Sequence, residues 1–180
     1  TATVLDTRNL SDSEVIIYVM IAVALCLIIL QLALDSYLAP VLMLLNIGMA
    51  VLYNMGTNAF LGQTSYITKA ISAVLQLGVT MDFAIFLYHS YKAEKEKASN
   101  NDEAMATAIA KTLVSVLGSS LTTIAGFLAL CSMNLTLGKD IGLVMAKGVL
   151  IGVITAVTTL PAMLLVFDKW VEKTKHKEIL

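Results

Sequence analysis

Residues 70–91 read AISAVLQLGVTMDFAIFLYHSY, an apolar run with one acidic residue, Asp82, twelve positions after its first residue. A helix of about 20 residues crosses the hydrocarbon core of a bilayer. The run contains 22 residues, so it is long enough to span a membrane. It therefore predicts a transmembrane helix that carries a carboxyl group near the centre of the bilayer.

The composition of the chain is that of a membrane protein. Of the 180 residues, 58% are hydrophobic and 14% are charged, whereas soluble domains are about half apolar and about one quarter charged. A net charge of −1, without a basic stripe between aromatic residues, gives no indication of nucleic-acid binding. Two histidines, with no phosphate loop and no nucleophile elbow, give no indication of a metal, a cofactor or a soluble enzyme.

Four further apolar runs are long enough to cross a bilayer. They cover residues 15–34, 38–57, 111–133 and 141–167. The charged segment 92–103 separates the third run from the fourth, and Asn100 or Asn101, followed by Asp102 and Glu103, predicts the start of a helix there. The chain is therefore predicted to be an all-α, polytopic bundle of five transmembrane helices.

Lysine and arginine are distributed unequally between the two sides of the predicted bundle. One side carries Lys92, Lys95, Lys97, Lys111, Lys169, Lys173, Lys175 and Lys177, and the other carries Arg8, Lys69 and Lys139. Because positively charged loops remain in the cytoplasm, we expect the connection from Lys92 to Lys111 and the C-terminus to be cytoplasmic. The N-terminus then lies outside the cell membrane.

Five spans with an external N-terminus require a transmembrane helix before Thr1, so we expect the chain to be a piece of a longer protein. Residues 1–14 are polar and are assigned to the extracytoplasmic end of a missing outer domain. Residues 15–168 are assigned to the five-helix transmembrane domain. Residues 169–180 are assigned to a cytoplasmic basic tail or linker.

Asp82 is the residue with the strongest chemical signal. An aspartate at the centre of a membrane helix costs about 2.5–3.5 kcal/mol on insertion scales, and loss of hydration disfavours the charged carboxylate. We therefore expect Asp82 to face the interior of the bundle rather than lipid. Two interpretations remain open: a proton carrier, or a structural clamp bonded to serine or threonine on the next helix.

Three other residues lie near this carboxyl group in the sequence pattern. Gly78, one turn before Asp82, leaves room for a neighbouring helix. His89 is on nearly the same face, near the cytoplasmic end, where it is either the inner end of a proton route or an interfacial anchor. Three alternatives remain open for Lys147: its side chain extends outward to the membrane interface, it pairs with Asp140, or it reaches Asp82.

Small and hydroxylated residues share one face in each of the last two spans. These are Ser115, Ser119, Thr122 and Gly126 in the fourth span, and Gly148, Gly152, Thr155 and Thr159 in the fifth. Such residues allow close approach of helix backbones. The expected role of both faces is tight packing in the bundle, and the alternative is a polar lining beside a proton site.

The run from Gly78 to Phe83 resembles the GxxxD-aromatic motif of the RND superfamily, and it is most similar to the MMPL-type branch of lipid and drug exporters. The flanking strings also resemble that branch: SSLTTIAGFLAL at 119–130, GKDIGLVMAKGVLIG at 138–152 and TTLPAMLLVFDK at 158–169. The likeness covers nearly the whole chain. One departure is Phe83, because the branch commonly has tyrosine after the aspartate.

The resemblance implies that the five spans are the second to sixth helices of one six-helix half, the N-terminal half being favoured. A first helix and an outer domain would precede Thr1, and a second half would follow Leu180. Asp82 would then be protonated and deprotonated as the halves move, and Gly78 would permit close packing. The sequence offers as supporting residues Phe83, His89, Ser119, Thr122, Thr123 and Lys147.

Three classes of function are compatible with this pattern. The leading hypothesis is the membrane domain of a proton-driven exporter, a secondary active transporter and not an enzyme. Its partners would be the bilayer, protons, the second half and a lipid or amphiphilic substrate. The alternative is a membrane receptor or sensor like the sterol-sensing domains, which share this five-helix architecture. A purely structural bundle is the third class.

Overall fold

The computed structural model describes residues 2–58, 66–133 and 135–175, with side chains described in 17–58, 68–69, 71–133 and 135–175. Within these ranges the regular secondary structure is helical, apart from one isolated β-bridge between Ser36 and Lys175. The helices are α1 (Ala2–Ala33), α2 (Leu38–Thr57), α3 (Tyr66–Lys95), α4 (Asn101–Leu130), α5 (Thr136–Val166) and α6 (Asp168–Lys173). We call the side formed by the α1–α2 turn, the α3–α4 connection and α6 the α6 end.

The structure confirms the predicted all-α membrane bundle. Four helical segments in the described chain are long and apolar enough to cross a membrane: Leu38–Thr57, Ile71–Lys95, Asn101–Leu130 and Thr136–Val166. The described apolar part of α1, Ile17–Ala33, is a shorter fifth segment. The helix itself begins at Ala2, so residues 2–14 are helical and belong to the same helix as this apolar segment.

The start of α4 follows the predicted capping signal. The Asn100 side chain accepts a hydrogen bond from the backbone N–H of Glu103 at 2.7 Å. This bond satisfies one of the backbone donors that a helix leaves free at its N-terminus. As a result, α4 begins at Asn101, ten residues before the apolar run that predicted it.

The core is built around α5, which packs against α2, α3 and α4. Glycine permits the closest of these approaches. A Cβ atom at Gly148 would lie 2.5 Å from Nδ2 of Asn54, and one at Gly152 would overlap the side chain of Thr80. The predicted close-packing face of α5 is therefore confirmed for these two glycines.

A side chain at Gly142 would be tolerated even less well, because the nearest atom belongs to the backbone of α4 and cannot rotate away. A Cβ atom there would lie 2.5 Å from the carbonyl oxygen of Phe127 and 3.0 Å from Sγ of Cys131.

Gly142→Ala is expected to destabilise the full-length parent protein by about 1–3 kcal/mol, since α4 and α5 must separate. Thermal unfolding in detergent measures this. Gly48→Ala is the control, because none of the neighbouring atoms in the described part of the chain lies within 4 Å of its added methyl group. Equal stability of the two variants would contradict the close approach.

Two buried aspartates tie the α6 end together. Asp35, in the α1–α2 turn, accepts a hydrogen bond from the Tyr88 hydroxyl at 2.7 Å and lies 3.0 Å from Nζ of Lys92. Asp168, at the start of α6, accepts from the Tyr91 hydroxyl at 2.8 Å and from Lys95 at 2.6 Å. Two Tyr-x-x-x-Lys units on α3 therefore hold two other segments of the chain.

The charge state of Asp35 follows from its partners. Burial alone would raise the pKa of this carboxyl group, but the Tyr88 hydrogen bond and the Lys92 ammonium together outweigh burial and lower the pKa below its ordinary value. Asp35 is therefore ionised at neutral pH in the folded protein. The stability contributed by its ionised form is fully present at pH values above the pKa of an aspartate in the unfolded chain, and it is lost as the pH falls below that value.

Candidate functional site

Helix α3 turns Asp82 outward because the residue after it is anchored inside. The Phe83 side chain is 5% exposed and packs in an apolar cluster with Val116, Val149, Val153 and Ala156. Successive residues on an α-helix are about 100° apart. With Phe83 held between α4 and α5, the Asp82 side chain projects from the bundle and is exposed.

Asp82 lies on one wall of a groove between α3 and α4. The groove has a volume of about 390 Å³. Its lining consists of Val79, Asp82, Phe83 and Phe86 from α3, and Ser115, Val116, Ser119 and Thr123 from α4. The carboxyl group thus shares an open space with three hydroxyl groups of the neighbouring helix.

These hydroxyl groups differ in their availability. Thr123 donates to the backbone carbonyl of Ser119 at 3.0 Å, whereas the hydroxyls of Ser115 and Ser119 make no hydrogen bond within the described residues. Thr122 donates to the Gly118 carbonyl at 3.0 Å and is not among the lining residues. Ser115 and Ser119 can therefore accept or donate a hydrogen bond in the groove, and Thr122 is not part of it.

The expectation that Asp82 faces the interior of the bundle is wrong within this chain. The expected packing face of α4 is also not buried here, because Ser115, Ser119, Thr122 and Gly126 are all exposed. Helix α4 buries Thr112, Val116 and Ser120 instead, on a neighbouring face about 90° around the helix axis. The face with small residues is therefore a free surface that continues from the groove.

Gly78 lies on the same exposed stripe of α3 as Asp82. Apart from the backbone of α3 itself, no atom of the described residues lies within 4 Å of the position that a Cβ atom at Gly78 would occupy. The predicted room for a neighbouring helix is present, and none of the described helices fills it. The glycine therefore gives access to Asp82 from outside the five-helix bundle.

His89 is exposed on this stripe, two turns after Asp82 towards the α6 end. Its ring meets that of Tyr88 edge-on, with centroids 6.0 Å apart and planes inclined by 73°. Helical rise places its Cα about 10 Å along the axis from that of Asp82. The imidazole is thus on the face of the carboxyl group but outside the groove lining.

Lys147 binds the C-terminal end of α2. Its ammonium group donates to the carbonyl oxygen of Asn54 at 3.0 Å, to the Thr57 hydroxyl at 2.9 Å and to the side-chain oxygen of Asn58. A cation is stabilised there by the partial negative charge of the last carbonyl groups. The contacts found for Lys147 in the described chain involve neither Asp140 nor Asp82.

A buried amide pair in the interior was not identified from sequence. Asn54 donates to Gln76 at 2.7 Å and to the Val144 carbonyl at 3.2 Å, and Gln76 donates to the Gly148 carbonyl at 3.1 Å. Both side chains are 1% exposed. The sequence signal that could have identified this pair is the presence of two polar residues inside apolar spans. This pair holds α2, α3 and α5 together, with Gln76 six residues before Asp82 on α3.

Comparison with known proteins gives the family. The model of the MMPL family matches residues 1–179. The membrane protein ActII-3 of Streptomyces coelicolor is 32% identical over 154 residues, 81% of this chain and 22% of that protein. The siderophore exporter MmpL5 of Mycobacterium tuberculosis is 26% identical over 174 residues, 94% of this chain and 18% of that protein.

A third relative, the probable transport protein MmpL4 of Mycobacterium leprae, is 28% identical over 174 residues, again 94% of this chain and 18% of that protein. The chain thus spans about one fifth of the length of these three relatives. Since the family match covers all the apolar helices and the motif around Asp82, the chain belongs to the MMPL family of multi-pass membrane proteins.

Proposed function

We propose that this chain is part of the membrane domain of a proton-coupled exporter, and that Asp82 is its proton-coupling carboxylate. The observation that carries the proposal is the place of Asp82. A carboxyl group near the centre of a transmembrane helix is exposed in a groove beside Ser115 and Ser119, whose hydroxyls make no hydrogen bond with any described residue. Ionisable residues within membrane segments typically mark ion pathways and proton relays.

The coupling step uses the two states of this carboxyl group. Protonated Asp82 can donate a hydrogen bond to a serine hydroxyl, and ionised Asp82 can only accept one. Loss of the proton therefore changes which partner is favoured and how strongly the group needs water. A movement that opens the groove to one side of the membrane and then to the other would bind a proton and release it.

The free face of α3 and α4 supports a role for a second half of the parent protein. None of residues 121–130 of α4 is fully buried, and Gly78 and Ser119 are exposed. Small residues on a membrane helix allow another helix to approach closely. We propose that the second half packs on this face and closes the groove, which would place Asp82 inside the complete protein.

The proposed orientation places the α6 end in the cytoplasm of the cell, as the lysine distribution predicts. Residues 15–168 would form the membrane domain, with 1–14 leading from an outer domain and 169–180 leading to the second half. The cargo would be a lipid or an amphiphilic small molecule. One similar protein carries the name siderophore exporter, which supports export as the class of activity.

A measurement on the parent protein tests proton coupling. Inverted vesicles are energised and loaded with a pH-sensitive dye, and a panel of amphiphiles is added. At least one amphiphile is expected to trigger proton efflux and to accumulate in the vesicles, and a protonophore is expected to stop the accumulation. Accumulation that persists after collapse of the gradient would contradict the proposal.

The sensor alternative has one supporting observation. An open apolar groove of about 450 Å³ lies between α1 and α2, lined by residues such as Leu27, Leu45 and Leu52. A lipid-sensing domain needs a lipid-facing groove of this kind. A sensor would bind a lipid there without moving protons, so lipid binding without any amphiphile-triggered efflux favours this second reading.

A further inference from the structure

The outward face of α6 combines exposed apolar and cationic side chains at the end of a membrane span. Val166 is 74% exposed, Phe167 is 40% exposed and Trp170 is 67% exposed. Lys169, Lys173 and Lys175 are exposed beside them. Tryptophan is enriched where membrane meets water, and Trp170 lies one turn beyond the last residue of α5. We call Trp170 and these three lysines the α6 outer face.

Both acidic residues of the same short helix bind Lys95 of α3, and Asp168 is buried whereas Glu172 is half-exposed. Asp168 is 6% exposed and accepts hydrogen bonds from Lys95 at 2.6 Å and Asn101 at 2.7 Å. Glu172 accepts from the same Lys95 ammonium at 2.7 Å. None of the three lysines of the α6 outer face forms an ion pair in the part of the chain that the structure describes. The sequence of α6 mixes both signs of charge, but the structure leaves its outer face cationic.

Several contacts fix α6 in this orientation. The Ser36 hydroxyl donates to the Val171 carbonyl at 3.0 Å, and the backbone N–H of Tyr37 donates to the Thr174 carbonyl at 3.2 Å. Val171 is 5% exposed and lies in the apolar core of the α6 end. The outer face is therefore held in place by the fold and does not depend on a lipid to form.

We propose that the α6 outer face binds anionic phospholipid headgroups of the adjacent leaflet. The phosphate groups would be bound by Lys169, Lys173 and Lys175, and Trp170 would lie at the level of the headgroups. An anionic leaflet attracts lysines that lie next to a transmembrane helix, and each lysine near the surface increases binding by about fivefold. The proposal concerns the lipid and is independent of proton coupling at Asp82.

The test uses the complete parent protein in vesicles of equal parts phosphatidylglycerol and phosphatidylcholine. A nitroxide quencher is attached to the headgroup region of one lipid or of the other. The fluorescence of Trp170 is obtained as the difference between wild type and Trp170→Phe. We expect the labelled phosphatidylglycerol to quench Trp170 several-fold more than the labelled phosphatidylcholine, and we expect added salt to reduce the difference.

Charge-removing variants identify the residues responsible. Lys169→Gln combined with Lys173→Gln and Lys175→Gln is expected to equalise the quenching by the two lipids. Lys97→Gln is the matched control, because Lys97 is an exposed lysine at the same end that lies outside α6, and it should keep the difference. Asp82→Asn should keep it too, which separates this proposal from the proposed transport activity.

Two results would overturn the proposal. Equal quenching of wild-type Trp170 by both labels would show that the α6 outer face meets lipid without selecting its charge. Absence of quenching by either label would show that another part of the parent protein covers the face.

Discussion

Asp82→Asn is expected to reduce amphiphile-triggered proton efflux by the parent protein to the background level. The substitution keeps the size of the side chain and its capacity for hydrogen bonds, but an amide does not bind or release a proton in the physiological range. If Asp82 is the coupling group, the proton has no other carboxyl group in this groove, whose described lining contains only apolar and hydroxyl-bearing residues besides it.

Folding is expected to survive this substitution. Asp82 is exposed in this chain and makes no hydrogen bond or ion pair within the described residues. Removal of a carboxylate with no buried partner leaves no unpaired charge behind. The amount of inserted Asp82→Asn protein and its thermal unfolding should therefore remain close to those of wild type, which distinguishes loss of coupling from loss of structure.

Two other variants complete this experiment. Asp140→Asn makes the same chemical change at the first turns of α5, outside the groove, and should leave proton efflux intact. Asp82→Glu retains a titratable group and should keep part of the activity. Efflux from Asp82→Asn vesicles equal to that from wild type would remove Asp82 from the mechanism, and a structural role would become the better interpretation.

The spans and the position of Asp82 could be predicted because they depend on local properties of the chain. The number of apolar residues in a row sets the crossing of the membrane, and the predicted second span coincides with α2, Leu38–Thr57. The cap of α4 followed from Asn100 and the acidic residues after it. Length, composition and capping act within a few residues, so a single sequence contains them.

The direction of the Asp82 side chain could not be predicted in this way. In a soluble helix, the polar side is the exposed side, but in a membrane helix apolar residues occupy both the lipid-facing and the buried sides. Within α3, Phe83 is buried and Phe86 is 58% exposed, although both are phenylalanine. Only the position of α4 and α5 decides which one is inside, and that is a long-range property.

The partners of the charged residues also could not be predicted from the sequence. Lys147 is 93 residues from Asn54, whose carbonyl oxygen it binds. Asp168 lies in a segment assigned to the end of a span and the beginning of a tail, yet it receives bonds from α3 and α4. The sequence does not indicate which lysine binds a given carboxylate, because several lysines lie near the same membrane surface and each could reach it.

Lys95→Met is expected to lower the free energy of unfolding of the parent protein by about 3 kcal/mol. The Lys95 ammonium lies 2.6 Å from one oxygen of Asp168 and 2.7 Å from the other. Removal of one member of a buried ion pair costs about 3–5 kcal/mol, because it leaves the other charge buried without its partner. Lys95 is partly exposed, with 22% of its side chain accessible, which places the expected value at the low end.

Unfolding of detergent-solubilised protein in increasing denaturant measures this effect, and two further variants show its origin. Lys97→Met removes a lysine that is 69% exposed and 3.6 Å from Glu94, so it should change stability by less than about 1 kcal/mol. Adding Asp168→Asn to Lys95→Met removes the unpaired charge and should recover much of the loss, because Tyr91 can donate to the new amide oxygen and the Asn101 amide can rotate to accept from the new NH2 group. If Lys95→Met were no more destabilising than Lys97→Met, the stability of the α6 end would not depend on this ion pair, and the remaining contacts of α6 would be sufficient to hold it.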